Sequence, residues 1–393
     1  MKPTSLILIL AQVPWTVSNA DMNQGLSGSA LVGISWFSIW FDTLSATTLI
    51  PSGNNGGMSI YSNAMYAFNS VPVTQTIGAG ANPTTNGSNG GSCQADASNW
   101  WGDRHPFNTA LDSRRHIFWV VGGVCNAMES TSGTWALTLN ANPATNTWTK
   151  YVTTMPGNHD GSTKNGTSMV YSDTYDVLIL SGYTGGATID TYHFCPLSGN
   201  PGGTLRSEQA MVCTTGDTWQ LANQVTSGST MGGGLSSKVW DSSASRMIQF
   251  GGYTPGSTWV PNTWVYDPVT KAFTQRSPTT HPGENNDQNM CGNLYSQVPM
   301  VYVPTRSLTY VHDPQSNPPT DWVYSYALDS WTSLGVSSGA PSTCTSQLAY
   351  DSVKDALITW DVAGGATTIR IGQLASGISL FGIPKIFGVP IFW

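Results

Sequence analysis

Apolar and polar positions along this chain alternate in short runs, each closed by Asp, Ser, Gly or Asn instead of continuing with a helical period. Period-two runs bounded by turn formers predict half-buried β-strands. One unit recurs six times: a small or aromatic strand, a turn opened by Asp, then a second apolar strand that often ends in a Gly pair. The copies are Trp36 to Asp42 leading to Thr47 through Gly53, Asn108 to Asp112 leading to His116 through Gly123, and Ser168 to Asp173 leading to Tyr175 through Gly182. Three more are Ser237 to Asp241 leading to Arg246 through Gly252, Met300 to Pro304 leading to Ser307 through Asp313, and Gln347 to Asp351 leading to Ala356 through Asp361. After most of them comes a third, aromatic strand, as in Thr134-Trp135-Ala136-Leu137 and Asp321-Trp322-Val323-Tyr324. A fourth then carries Trp148, Trp219, Phe273 or Trp331. The turn Asp is expected to cap its own backbone as an Asx-turn.

A four-stranded sheet of this kind has two apolar faces and cannot bury both alone, so it must stack on copies of itself. Phe250-Gly251-Gly252, followed by Asn262-Thr263-Trp264-Val265-Tyr266-Asp267-Pro268 and Phe273, resembles the kelch repeat. Val121-Gly122-Gly123 with Thr147-Trp148 is a second match. The resemblance spans roughly residues 31 to 375. It implies an all-β chain, a β-propeller of six four-stranded antiparallel blades around a central channel, or seven if residues 1–30 and the C-terminus build one more. The galactose-oxidase-like branch of such propellers holds copper with tyrosines and histidines. Only Thr191-Tyr192-His193 offers a Tyr-His pair in order, in a predicted third strand, so no copper site carries over and no cofactor or metal is expected.

Three divisions follow: residues 1–20 as a signal peptide or an uncleaved N-terminal strand, 21–375 as the propeller, and 376–393 as an apolar segment that closes the fold or meets another subunit. The N- and C-terminal apolar segments are the expected route to an oligomer. No stretch reaches the roughly 20 apolar residues of a membrane span. The Gly78 to Gly91 tract reads as a long exposed connection.

Composition narrows the partners. Only 9% of residues are charged and the net charge is −7, so the basic footprint of a nucleic-acid binder is missing. Disorder is excluded by 39% hydrophobic residues, 16 Trp and 15 Tyr among them. The six cysteines, Cys93, Cys125, Cys195, Cys213, Cys291 and Cys344, lack zinc-ligand spacing and read as disulfides, expected as 93 with 125, 195 with 213 and 291 with 344. Disulfides point to an oxidising, extracellular or secreted setting.

Candidate chemistry lies on loops that lead into the first strands of the units. His105 beside Asp103, His159 beside Asp160, and His281 near Glu284 and Asp287 would form a polar rim able to hold a ligand or shuttle a proton. Trp100 and Trp101 offer flat faces for a sugar ring. No Ser/His/Asp elbow, phosphate-cradling loop or paired-carboxylate signature stands out. The expected role is a non-enzymatic glycan- or protein-recognition or structural module outside the cytoplasm. A carbohydrate-active lyase or oxidase at the histidine rim is one alternative, and a structural subunit of a viral particle or surface filament is another.

Overall fold

The computed structural model describes residues 15–17, 34–35, 40–44, 47–51, 54–55, 65–69, 73–77, 108–121, 124–125, 129–130, 134–141, 147–152, 168–183, 188–226, 230–232, 236–252, 254, 260–283, 299–314, 318–337, 347–363 and 366–374. They are almost wholly β. Six four-stranded antiparallel sheets are present, along with two short two-stranded pairings and a one-turn helix, Ser207–Ala210.

Each sheet begins with a lead strand: Trp40–Asp42, Asn108–Asp112, Ser168–Ser172, Ser237–Asp241, Met300–Val303 and Gln347–Asp351, in sheets one to six. Five of these start and end within a residue of the expected first strands. Trp40–Asp42 starts later than its expectation, and Ser168–Ser172 ends one residue before Asp173. In sheets one to five the remaining strands follow in sequence order. The sixth consists of Gln347–Asp351, Ala356–Ala363 and Ala366–Gln373, and its outer strand is Trp15–Val17 from the other end of the chain. Trp15 pairs with Gly372 and Val17 with Arg370.

A common hairpin explains why the pattern was periodic. In all six sheets the lead strand pairs with the second across a four-residue turn, as Asp112 with Ile117 and Asp241 with Arg246. In every sheet but the fifth, where it is Val303, the last strand residue caps the turn with its side chain. Asp112 Oδ1 accepts the amides of Arg114 and Arg115, both at 3.0 Å, and Asp351 and Asp241 repeat the arrangement. In the third sheet Ser172 does this with its hydroxyl, taking the Tyr175 amide at 3.1 Å. Asp173, the expected cap, is the next residue and faces Trp240 instead. The fourth turn residue is left-handed in five hairpins: His116, Asp176, Ser245, Ser307 and Asp355 have φ between 52° and 54°. Short polar side chains tolerate that region by bonding locally. Tyr171 and Tyr350 hold the aspartates there, their hydroxyls donating to Asp176 and Asp355 at 2.8 and 2.7 Å.

Apolar faces of consecutive sheets cover one another. Trp119 and Ile117 of the second sheet pack with Leu178, Leu180 and Phe194 of the third, and Val239 and Phe250 of the fourth pack with Val311 and Trp331 of the fifth. Comparable clusters join the third sheet to the fourth and the fifth to the sixth. Fourth-strand tryptophans also pin the sheets together. Trp219 Nε1 donates to Thr134 Oγ1 at 2.7 Å and Trp331 Nε1 to Thr263 Oγ1 at 2.9 Å, each reaching the third strand of the preceding sheet. A buried indole N–H needs such a partner, and the Thr lets a large ring bury without stranding it. Close approach also dictates glycine at Gly232, where a Cβ would lie 2.4 Å from the Gly251 carbonyl oxygen. Gly251 and Gly252 adopt φ of +67° and +103°, as the Gly pair after a second strand suggested.

The lead strands lie side by side in a definite order. That of the second sheet neighbours those of the first and third, the fourth neighbours the third and fifth, and the sixth neighbours the fifth and the first.

One expected disulfide is formed, between Cys195 and Cys213. It closes an insertion between the third and fourth strands of the third sheet. Cys93, Cys291 and Cys344 lie outside the described residues, as does the side chain of Cys125, so their expected pairings are not described. The 376–393 segment and the Gly78 to Gly91 tract also lie outside. No described helix is long and apolar enough to cross a membrane.

Candidate functional site: the cavity between the lead strands

A cavity of about 310 Å³ is lined by residues from the lead strands of all six sheets and the turns that follow them. Its turn-side end carries Thr43, Ser113, Asp173, Ser242 and Ser352, a set of hydroxyls with one carboxylate. One layer in, Phe41, Tyr171, Trp240, Tyr302 and Tyr350 supply aromatic surface. These rings occupy equivalent positions, the residue before the last of the lead strand, so the repeat itself stacks them at one level. The far end is lined by Thr109, Ser168, Met169, Ser237, Lys238, Met300 and Leu348.

Most of the aromatic hydroxyls and indoles are engaged by structure. Tyr302 accepts the Ser243 amide at 3.3 Å, Trp40 Nε1 donates to Thr109 Oγ1 at 3.0 Å, and Trp240 Nε1 donates to Asp173 at 2.8 Å. Burial pushes the pKa of the Tyr171, Tyr302 and Tyr350 phenols up, and nearby aspartates add to the effect, so all three stay neutral. Their ring faces, not their hydroxyls, are what the cavity offers.

Lys238 stands apart. It is the second residue of its strand, so its side chain lies on the same side as that of Trp240, two residues on. Its ammonium donates to Ser168 Oγ at 2.8 Å and Ser236 Oγ at 2.7 Å. The residue keeps some surface open to the cavity, yet protein crowds the amine densely enough that desolvation pushes its pKa down to about 7. Lys238 and Asp173 are the two ionisable side chains lining the cavity that carry formal charge.

Of the candidates read from sequence, Trp100, Trp101, Asp103, His105, His159, Asp160, Glu284 and Asp287 lie outside the described residues. His281 is described. Its Nδ1 donates to the carbonyl of Pro282 at 2.9 Å, and Thr280 beside it donates to the carbonyl of Trp331 in the outer strand of the fifth sheet. His281 is not among the cavity-lining residues. Among the described residues no three His, Cys, Asp or Glu side chains are grouped as metal ligands. Sequence reasoning passed over Lys238. The signal was there: a lysine at an interior position of a lead strand, two residues before an aromatic, in a chain with only 15 Lys and Arg in all.

His193 of the Tyr192-His193 pair is fully buried in its third strand. Its Nδ1 donates to the Val212 carbonyl at 3.1 Å, and Nε2 accepts from the Tyr266 hydroxyl at 2.9 Å. Burial lowers its pKa to about 4, so it is a neutral core residue bridging two sheets.

No protein-family model matches the chain, and no curated protein matches it.

Proposed function

We propose that this chain is a six-bladed, kelch-like β-propeller that works outside the cytoplasm as a recognition module for glycans. The cyclic order of neighbouring lead strands, with the sixth beside the first, supports closure into a ring. Completion of the sixth sheet by Trp15–Val17 supports a seal made from both ends of the repeat region. The Cys195–Cys213 bond suits an oxidising compartment.

The observation that carries the recognition reading is the cavity. It is concave, about 310 Å³, and pairs a layer of aromatic faces with a set of hydroxyls at its turn-side end. That combination fits a sugar, whose apolar ring face stacks on aromatics while its hydroxyls exchange hydrogen bonds with Ser and Thr. Glycan-array binding by the full chain tests it. Substitutions Ser113→Trp and Ser352→Trp, at exposed turn positions, fill the turn-side end without touching the core and should abolish binding. Joint alanine replacement of Trp100, Trp101 and His281 should leave it intact. The opposite pattern moves recognition to those residues, and an array with no binder at all removes the reading.

A further inference from the structure

The geometry points to a carboxylate-binding position inside this cavity: Lys238 is placed to receive the acid group of a small anionic sugar, an inference that rests on the glycan reading above. An ammonium has three N–H donors. Two are taken by Ser168 Oγ and Ser236 Oγ. Ser168 gives its own proton toward the Ser236 carbonyl at 3.4 Å, which leaves its oxygen to accept from Lys238. Both partners are neutral, and among the described residues no carboxylate forms an ion pair with the amine. A lysine enclosed without a counter-ion is costly, and an anionic ligand supplies the missing charge and takes the third donor.

The charged and titratable groups on the strands packed around Lys238 are committed elsewhere. Asp173, at the other end of the cavity, lies on the order of 15 Å away at about 3.3 Å per strand residue, and is held by Trp240. On the neighbouring strands, Tyr171 donates to Asp176, Tyr302 serves Ser243, Arg246 pairs with Asp267 at 2.9 Å and His312 with Asp321 at 2.8 Å. Asp241 caps its turn, and Tyr310 and Asp313 are buried and engaged. The aromatic layer on the same cavity then covers the apolar face of the ring whose acid group sits on Lys238. The lowered pKa of Lys238 adds a signature: binding draws a proton onto the amine and weakens as pH rises above 7.

Isothermal titration of the full chain with methyl glucuronide, methyl glucoside and acetate tests this, on the wild type and on Lys238→Met. Methyl glucuronide should bind at least about tenfold more tightly than methyl glucoside. Lys238→Met should erase that preference, a loss of about ten- to a hundredfold for a hydrogen bond to a charged group. Ser236→Asp, which places a carboxylate beside the amine, should abolish the acid preference even if Lys238→Met folds poorly. Equal binding of both sugars, unmoved by either substitution, overturns the carboxylate position and leaves glycan recognition standing. Acetate binding that needs Lys238, with no sugar bound, upholds the anion position and overturns the glycan reading. Silence with all three ligands overturns both.

Discussion

A lysine held in the protein interior by two hydroxyls pays for its place in lost hydration. With its folded pKa near 7, against about 10.4 when unfolded, Lys238 binds its proton more weakly in the fold than in the open chain. The unfolded state therefore carries the extra proton between those values, and stability should rise with pH from 7 to about 10, by at most about 1.4 kcal/mol per unit. His193 acts in a separate window. Its folded pKa near 4 lies below the unfolded 6.5, so stability should fall as pH drops from 6.5 toward 4. Urea denaturation across pH 4 to 10 reads both slopes. Lys238→Met should flatten the alkaline one and stabilise the chain at pH 6 by about 1–3 kcal/mol, while leaving the acid slope. A native protein that keeps a residue whose removal stabilises it is keeping it for something other than the fold.

At the scale of single elements, the hairpins were legible because everything that specifies them is local. Alternation chose the faces, and Asp at the strand end signalled the turn through its own backbone bonds. Asp112, Asp241 and Asp351 do what the sequence expects of them, and in the third sheet a serine one residue earlier takes over. The insertion between Cys195 and Trp219 was not legible, apart from its disulfide. Its shape is set by contacts distant in sequence that converge on Gln209 and Arg115. Buried Gln209 donates to the carbonyls of Asp176 and Pro196 at 3.1 and 2.9 Å, while its oxygen accepts from Asn200 and from the Arg206 amide. Arg115 reaches across from the second sheet to form a bidentate pair with Asp176, and it also bonds Asn200. Nothing in the alternation of apolar and polar residues reports such a hub. Gln209→Leu removes the donor to the Asp176 carbonyl and one of the two donors to that of Pro196, which keeps Arg115, and should cost about 1–3 kcal/mol by chemical denaturation. Cys213→Ser, which opens an 18-residue loop, should cost about 3 kcal/mol. Equal melting of wild type and both variants would show the insertion to be an ornament on the third sheet.

For the whole molecule, the element least visible in the sequence is the one that finishes it. The last copy of the repeat supplies three strands, and no local pattern says where the fourth comes from. Trp15–Val17, more than three hundred residues away in sequence, lies antiparallel to Ala366–Gln373 and pairs through Trp15 with Gly372, Thr16 with Ile371 and Val17 with Arg370. Read as sequence, the same stretch fits a leader followed by a small-residue cleavage site as well as it fits a strand, because apolar character alone does not separate the two. The pairing gives the stretch a structural task. Without it the outer edge of Ala366–Gln373 presents unpaired N–H and C=O groups, a template for joining another chain. A chain starting at Asp21 should therefore melt below the full chain and self-associate on size-exclusion chromatography. Within it, the loss of amide hydrogen-exchange protection should concentrate in residues 356–373 and leave the second to fourth sheets protected. Supplying residues 10–20 as a free peptide should restore protection in that strand. If the shortened chain instead matches the full one in melting, size and exchange, the Trp15–Val17 pairing contributes nothing to the sixth sheet, and the seal proposed for the ring must come from elsewhere in the chain.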